Sequence, residues 1–300
     1  MTTLLPSYRG RLTEGITYDP RNNLLLWVDI IAAQVHRVGL DQHGSPLAGS
    51  HQQVHIEKSG ESVGAIALTA EIDKVLVCAK YGVSAVKFDG ALTKVEALKY
   101  IVKYPESLHG EDMRSNDGIV DPWGNLWVGT MLDFSVGHID PKGVLYRINC
   151  SDWSIKPMLK NTHIANGLAF VADGKQLLWT DSLTFTIWRF DYDHEKVELF
   201  NKRPFVDTRP VETLQGLNSP EPDGLTVAEN GDVFAAVFSS SRVLRFNEDG
   251  EFLEEFRFQA ERITCCIFGG PNRDILYVTS GQTHLDDPSK CDGPEKSLGD

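Results

Sequence analysis

The sequence lacks several features that would place it in other protein classes. It has no run of eighteen or more apolar residues, so we expect no membrane-spanning helix. Its first ten residues, MTTLLPSYRG, lack the basic stretch and apolar run of a secretory signal. Lysine and arginine number 29 against 42 aspartates and glutamates, a formal net charge of −13. Nucleic acids and anionic membranes attract basic surfaces, so we expect neither as a partner.

Cysteine is also scarce in this chain. Its five cysteines form an odd set without the spacing of a metal knuckle, which argues against a disulfide framework and against a cysteine-based metal site. We therefore expect reduced thiols in a cytoplasmic protein. We also expect a monomer or a weak homo-oligomer. The cysteines are Cys78, Cys150, Cys265, Cys266 and Cys291.

A sustained helical period is missing, but a phrase made of a turn and a strand recurs six times. Each copy joins a turn containing Asp, Asn, Gly or Pro to a short apolar strand. The strand centres fall near residues 27, 77, 127, 179, 234 and 277, at intervals of 50, 50, 52, 55 and 43 residues. Such an interval holds about four short strands, which is the size of a propeller blade. The copies occupy residues 19–29, 69–79, 121–130, 172–181, 228–237 and 270–279.

The segments that follow these copies define the predicted architecture. Five copies precede another alternating strand, namely AAQVHRV, YGVSAVKF, GVLYRI, TIWRFDY and SRVLRF. The sixth precedes GQTHLDDPSKCDGPEKSLGD, which is polar and rich in Asp, Gly and Pro. We predict an all-β, six-bladed propeller over residues 1–282 and a loosely held polar segment over 283–300. Either an N-terminal strand completes the last blade or its closing strand is absent.

A second short strand precedes each phrase, and in a propeller this strand would line the central channel. The six strands align at a glycine or small residue and cover residues 14–18, 63–67, 116–120, 166–170, 223–227 and 264–268. Blades two and six have Val63 and the Thr264–Cys265 pair at this point. The other four place an oxygen-bearing side chain there, namely Glu14, Asn116 or Asp117, Asn166 and Asp223.

Polar side chains that converge on one axis are unfavourable to bury unless something pairs with them. A divalent cation would do so, because two carboxylates and two amide oxygens form an all-oxygen set with a charge of −2. Hard cations such as Ca²⁺, Mg²⁺ or Mn²⁺ prefer these ligands, whereas Zn²⁺ more often takes His or Cys. The alternative is that each Glu-Gly, Asn-Gly or Asp-Gly pair simply makes a turn. Four such pairs in the same phase favour a metal site in the central channel.

Several of these pieces, taken together, resemble the gluconolactonase, regucalcin and senescence-marker-protein family. The likeness extends from about residue 12 to about residue 280. It rests on LTEGITYDP (12–20), RSNDG (114–118), DPWGNLWVGTM (121–131), NGLAF (166–170), TDS (180–182), PDGL (222–225) and CCIFGG (265–270).

The resemblance implies a six-bladed propeller that binds one metal, usually calcium or zinc, and hydrolyses sugar lactones. By position, the family's metal ligands fall on Glu14, Asn166 and Asp223, with Asn116 a ligand directly or through water. Its substrate-binding arginine falls on Arg114, and Asn116 would also orient substrate. Its acidic substrate contact falls on Asp133, where relatives commonly have Glu. The family's closing C-terminal strand is not visible in this sequence.

These residues suggest a hypothesis for the reaction. The metal, with Ca²⁺ as first choice and Zn²⁺, Mg²⁺ or Mn²⁺ as alternatives, would polarise the carbonyl of a sugar lactone. We choose Asp223 as the general base and keep Asp117 in reserve. Competing hypotheses are a calcium-binding protein, a protein-interaction propeller without chemistry, and a related metal-dependent esterase or phosphotriesterase.

Overall fold

The protein is described from a computed structural model, which covers residues 8–217 and 219–285. The strands form six sheets. The first contains β1 (Thr13–Asp19), β2 (Leu24–Asp29), β3 (Gln34–Gly39) and β4 (Gln52–Ile56), to which β8 (Leu92–Val95) adds in parallel. The second contains β5 (Val63–Leu68), β6 (Lys74–Ala79), β7 (Gly82–Lys87) and β9 (Val102–Lys103).

The remaining sheets follow in chain order and are antiparallel throughout. The third contains β10 (Met113–Val120), β11 (Leu126–Leu132), β12 (Gly143–Ile148) and β13 (Ile155–Thr162). The fourth contains β14 (Ala165–Val171), β15 (Gln176–Asp181), β16 (Thr186–Asp193) and β17 (Glu198–Asp207). The fifth contains β18 (Pro222–Val227), β19 (Val233–Val237), β20 (Arg242–Phe246) and β21 (Phe252–Arg257). The sixth contains only β22 (Arg262–Gly269) and β23 (Ile275–Gly281).

The first strand of each sheet lies innermost, as the alignment of the six short strands predicts. β1 packs beside β5, β5 beside β10, β10 beside β14, β14 beside β18, β18 beside β22, and β22 beside β1. The all-β propeller is therefore confirmed. Apolar cores fill the spaces between neighbouring sheets, because the strands turn alternate side chains toward each neighbour. Trp127 of the third sheet and Trp179 of the fourth, both fully buried, share one such core.

The prediction of a six-bladed propeller is wrong in the number of blades. Within residues 8–217 and 219–285 there are five complete blades, and the sixth sheet stops at two strands. The reason is visible in the sequence, since no alternating apolar segment follows Ser280 to supply a third strand. The predicted polar segment lies outside the described residues from residue 286 onward.

Hydrogen bonds between the first and sixth sheets close the ring. The Thr13 hydroxyl donates to the carbonyl oxygen of Ser280 at 2.6 Å, and the Thr264 hydroxyl donates to the carbonyl oxygen of Thr13 at 2.6 Å. Leu12 and Gly281 form an isolated antiparallel bridge beside them. These contacts join the two ends of the described chain and hold β1 against β22 and β23.

Three short 3₁₀ helices occur in the connections, at Phe134–Val136, Ser182–Thr184 and Glu212–Leu214. Within the described part of the chain, no helix has the length and apolar character needed to cross a membrane. Four of the five cysteines lie among the described residues and carry free thiols.

Candidate functional site

Every inner strand is irregular at the position where the sequence aligns a glycine or small residue. In β1 the pairing register shifts between Glu14 and Thr17, and in β14 between Asn166 and Leu168. β5, β10, β18 and β22 shift at their corresponding residues. A β-bulge turns a side chain away from the regular alternation of its strand. Six bulges at one level of the ring therefore aim the residues beside them at the common axis.

Glycines at this level allow the inner strands to approach closely. A Cβ atom on Gly64 would lie 2.3 Å from the carbonyl oxygen of Asn116, and one on Gly167 would lie 2.5 Å from the carbonyl oxygen of Asp223. Both distances are shorter than a carbon–oxygen contact can be. A side chain at either position would separate neighbouring inner strands, so these glycines are needed to bring the polar side chains together.

Three carboxyl groups of the inner strands, those of Glu14, Asp117 and Asp223, are buried. Burial and the charge of Asp117 raise the pKa of Glu14 to about 8. Burial raises the pKa of Asp117 to about 6. Burial, followed by the charges of Glu14 and Asp117, raises the pKa of Asp223 well above its ordinary value. The carboxyl groups are thus close enough to repel one another, and the site favours a positive charge.

The two predicted amides hold different hydrogen bonds. Asn166 donates from Nδ2 to Oγ of Ser182 at 3.1 Å, and its Oδ1 is buried without a hydrogen-bond partner. Asn116 donates from Nδ2 to the carbonyl oxygen of Ala165 at 3.1 Å, and its Oδ1 accepts a hydrogen bond from Nη1 of Arg114 at 2.8 Å. The oxygen of Asn166 is therefore free for a cation, whereas the oxygen of Asn116 already faces a guanidinium group.

Arg114 lies beside the carboxyl groups and is only 2% exposed. Burial lowers its pKa to about 10, against the opposing charges of Asp133, Glu14 and Asp223, so the guanidinium group stays charged at neutral pH. Its plane lies over the ring of Phe134, 4.9 Å from the ring centre. Nη1 is engaged by Asn116 and by the carbonyl oxygen of Ser115, but Nη2 is buried without a partner. A free donor therefore remains for an oxygen of a bound molecule.

Asp133 is more exposed than the other carboxyl groups of the site and is hydrogen-bonded to the neighbouring backbone. It is half-buried, and its Oδ1 accepts a hydrogen bond from the backbone N–H of Ser135 at 2.9 Å, which caps the 3₁₀ helix Phe134–Val136. Burial raises the pKa of this carboxyl, but the hydrogen bonds from Ser135 and the charge of Arg114 outweigh it and lower the pKa overall. The substrate contact predicted for Asp133 stays a prediction.

The residues present fit a divalent cation. Asn166 Oδ1 and Asp223 Oδ1 are both buried oxygen atoms without partners, and unpaired buried oxygens are unfavourable. Residues 8–217 and 219–285 contain no group of three or more His, Cys, Asp or Glu side chains arranged to hold a metal. A site on this axis therefore needs an amide oxygen beside the carboxylates, and Asn166 offers one. Metal ligation by Glu14, Asn116, Asn166 and Asp223 stays a prediction.

Two neighbours of the site were not predicted as site residues. Ser182, which accepts the hydrogen bond of Asn166, belongs to the TDS motif at 180–182, but that motif does not show which residue its hydroxyl contacts. Phe134, which packs under Arg114, follows Asp133 in a stretch of sequence that has no strand or helix period. The bulge in β10 shows why Asn116 and Asp117 could not be distinguished. The register shift between Ser115 and Gly118 includes both residues, and both are buried.

The fold and the site define a β-propeller with an acidic, amide-containing cluster on its axis. The chain matches the family model described as SMP-30/Gluconolactonase/LRE-like region over residues 12–282, and it belongs to that family. It is 43% identical to the cell growth-regulated gene 1 protein of Candida albicans, over 93% of this chain and 84% of that protein. It is 29% identical to the pentonolactonase XacC of Haloferax volcanii, over 90% of this chain and 81% of that protein. A solved luciferin-regenerating enzyme superposes with a TM-score of 0.81 at 28% identity, covering 96% of this chain and 89% of that one.

Proposed function

We propose that this protein is a metal-dependent hydrolase that opens sugar lactones to the corresponding hydroxy acids. The observation that carries the proposal is the bulged cluster, in which Asn166 Oδ1 and Asp223 Oδ1 are buried without partners beside Glu14. Similarity to a pentonolactonase and membership of a family that includes gluconolactonases support this class of reaction.

Glu14, Asn166 and Asp223 would hold one divalent cation directly, and Asn116 would contact it through water. This assignment follows the hydrogen bonds, because Arg114 already occupies the amide oxygen of Asn116. All the ligand atoms are oxygens, which makes Ca²⁺ the first choice, ahead of Mg²⁺, Mn²⁺ and Zn²⁺. When bound, the cation would supply Lewis-acid polarisation of the lactone carbonyl and would acidify a water molecule.

The chain's own residues would supply the rest of the chemistry. Asp223 is our choice for the group that takes the proton from the attacking water, and Asp117 is the reserve, since both are buried within reach of Glu14. Arg114 would bind an oxygen of the lactone through its unpaired Nη2, with the guanidinium plane held against Phe134. Asp133 would accept a hydrogen bond from a sugar hydroxyl on the same side.

Acid release from a panel of γ- and δ-aldonolactones tests the proposal. The protein is first treated with a chelator and then supplied separately with Ca²⁺, Zn²⁺, Mg²⁺ or Mn²⁺. We expect turnover with at least one metal, loss of turnover after chelation, and an inactive but folded Asp223→Ala variant by circular dichroism. Asp232→Ala, which changes an aspartate paired with Arg245 of β20, is the matched control and should keep its turnover.

The competing functions predict different results in the same assay. A calcium-binding protein without hydrolysis would bind metal and open no lactone. A protein-interaction propeller would do neither, and an esterase or phosphotriesterase would hydrolyse its own esters and leave the lactones intact. Near-normal turnover by Asp223→Ala would remove Asp223 from the mechanism.

A further inference from the structure

The geometry points to Ser182 as a positioning residue, one that keeps the amide oxygen of Asn166 turned toward the metal position. This inference rests on the proposed function, because it concerns the cation that Glu14, Asn166 and Asp223 would hold. It assigns a task to the TDS motif, in which Ser182 follows the last residue of β15.

Ser182 is built into the fold by its backbone, which leaves its side chain free for another task. Its N–H donates to the carbonyl oxygen of Ile164, and its carbonyl oxygen accepts from the N–H of Phe185. The side chain is 4% exposed, and its Oγ lies 3.1 Å from Nδ2 of Asn166. The local turn is thus held without the hydroxyl group, whose described contact is the amide at the site.

An asparagine amide can present either end to a neighbour, and the two ends have opposite chemistry. Nδ2 only donates hydrogen bonds, whereas Oδ1 accepts them and is the end that binds a cation. With Nδ2 directed to Ser182, Oδ1 points elsewhere and is buried without a partner. The structure therefore presents the end of Asn166 that a metal needs.

Asp223 competes for the same amide group. Asn166 lies close enough to Asp223 to affect the pKa of this buried carboxyl, but its Nδ2 donates to Ser182. A carboxylate is a stronger acceptor than a hydroxyl, so the NH₂ group would turn to Asp223 if nothing else accepted its hydrogens. Removing the hydroxyl of Ser182 takes away the acceptor that holds Nδ2 and leaves Asp223 without a competitor. The amide of Asn166 would then direct Nδ2 toward the cluster. A cation could bind only after the amide rotated to present Oδ1, which would weaken its binding.

The test measures metal affinity directly rather than activity alone. Ca²⁺ is titrated by calorimetry into chelator-treated wild type and into Ser182→Ala, Ser182→Cys and Ser182→Thr. Threonine keeps the hydroxyl, whereas alanine and cysteine lose the good acceptor. We expect Kd to rise about tenfold or more for alanine and cysteine, which is the usual effect of losing a group that orients a metal ligand. Ser182→Thr should stay within about threefold of wild type.

Lactone turnover at saturating Ca²⁺ provides the second readout. Because excess metal would recover the productive amide orientation, kcat of Ser182→Ala should return close to the wild-type value while Kd stays raised. The matched control is Ser240→Ala. Ser240 is equally buried and follows β19 in the fifth sheet, but its hydroxyl donates to the carbonyl oxygen of Val237. This control should lose thermal stability and keep its Ca²⁺ affinity.

The outcomes separate this inference from the proposed function. If wild type binds Ca²⁺ and folded Ser182→Ala or Ser182→Cys binds it equally well, the role of Ser182 is refuted and the proposed function stands. If Ser182→Ala does not fold, Ser182→Cys decides the matter. If Ser182→Thr loses affinity as alanine does, packing rather than the hydroxyl is responsible, which also refutes the role. If wild type binds none of the four metals, both proposals fall together.

Discussion

Arg114 donates a hydrogen bond from Nη1 to Oδ1 of Asn116 at 2.8 Å, and thereby occupies one of the four oxygens predicted to face a metal. The two amides at the site consequently differ. Asn166 has a free oxygen and is suited to direct ligation, while Asn116 accepts from the guanidinium group through its oxygen and donates to the carbonyl oxygen of Ala165 through its nitrogen. This pairing places a fixed positive charge beside the proposed metal position.

We therefore expect Arg114→Met to separate substrate binding from metal binding. Loss of the guanidinium group should raise KM by about tenfold or more, because a hydrogen bond from a charged donor contributes about 1.5–3 kcal/mol. Ca²⁺ affinity should stay the same or increase, since a positive neighbour of the cation is removed. Steady-state kinetics on the best lactone and calorimetric titration measure the two effects. A variant with unchanged KM would remove Arg114 from the substrate site.

Glu14→Gln should make the metal-free protein more stable. Burial and the charge of Asp117 make a carboxyl at this position unfavourable without a cation, and Gln keeps the shape without the charge. We expect a gain of at least about 1.4 kcal/mol, the free energy of one pKa unit. Thermal melts with and without Ca²⁺ measure it. Wild type should gain about 2.7 kcal/mol at a Ca²⁺ concentration of 100 times Kd.

Ca²⁺ should stabilise Glu14→Gln much less than it stabilises wild type, since the variant lacks a charged ligand. A Glu14→Gln protein that is less stable than wild type without metal would contradict this account. So would a variant that Ca²⁺ stabilises as much as it stabilises wild type.

The sequence predicted most of the fold because its two signals are local. A turn followed by an apolar strand marks β2, β6, β11, β15, β19 and β23, and alternation marks the strands after the first five of these. The parallel pairing of β8 with β4 was not predictable. Residues 92–95 have no clear period, and they add to a strand about forty residues earlier in the chain, so tertiary packing decides the pairing.

The residues of the candidate site could be predicted from the sequence, but their contacts could not. Glu14, Asn166 and Asp223 occupy equivalent positions in the sequence repeats, which made them candidate site residues. These positions are equivalent in the structure because the same bulge recurs in each inner strand. Hydrogen-bond partners could not be inferred, since they depend on side-chain directions within a bulge. The contact of Arg114 with Asn116 is such a case, as is that of Ser182 with Asn166.

Gly167→Ala should disrupt the carboxyl and amide cluster by pushing β14 away from β18. The added methyl would lie 2.5 Å from the carbonyl oxygen of Asp223 and 3.0 Å from the amide nitrogen of Leu225, both in the backbone of β18. We expect a loss of about 1–3 kcal/mol in stability, typical of an overpacked site, together with weaker Ca²⁺ binding. Gly90→Ala is the matched control, because no atom lies within 4 Å of the added carbon. Denaturant unfolding and calorimetry distinguish the two variants, and equal behaviour would refute the close-approach argument.

His36 should make the stability of the protein depend on pH. It is fully buried, lies against Trp27 with ring centres 5.1 Å apart, and is hydrogen-bonded to Tyr8 and His51 at 3.1 Å each. Burial, followed by the charge of His51, lowers its pKa to about 3, against 6.5 for an ordinary histidine. Between pH 6.5 and pH 3 the unfolded chain binds a proton here that the folded protein does not. Folding stability from this residue is therefore full above pH 6.5 and falls as pH decreases through that window.

The expected slope is at most about 1.4 kcal/mol per pH unit for this one group. His36→Gln should flatten the dependence of unfolding free energy on pH between 6.5 and 4, even if the variant is less stable at pH 7. His43→Gln, which changes an exposed histidine in the loop before β4, should keep the wild-type slope. Urea unfolding at half-unit pH steps measures all three proteins. A His36→Gln curve parallel to that of wild type would show that the buried stack does not resist protonation.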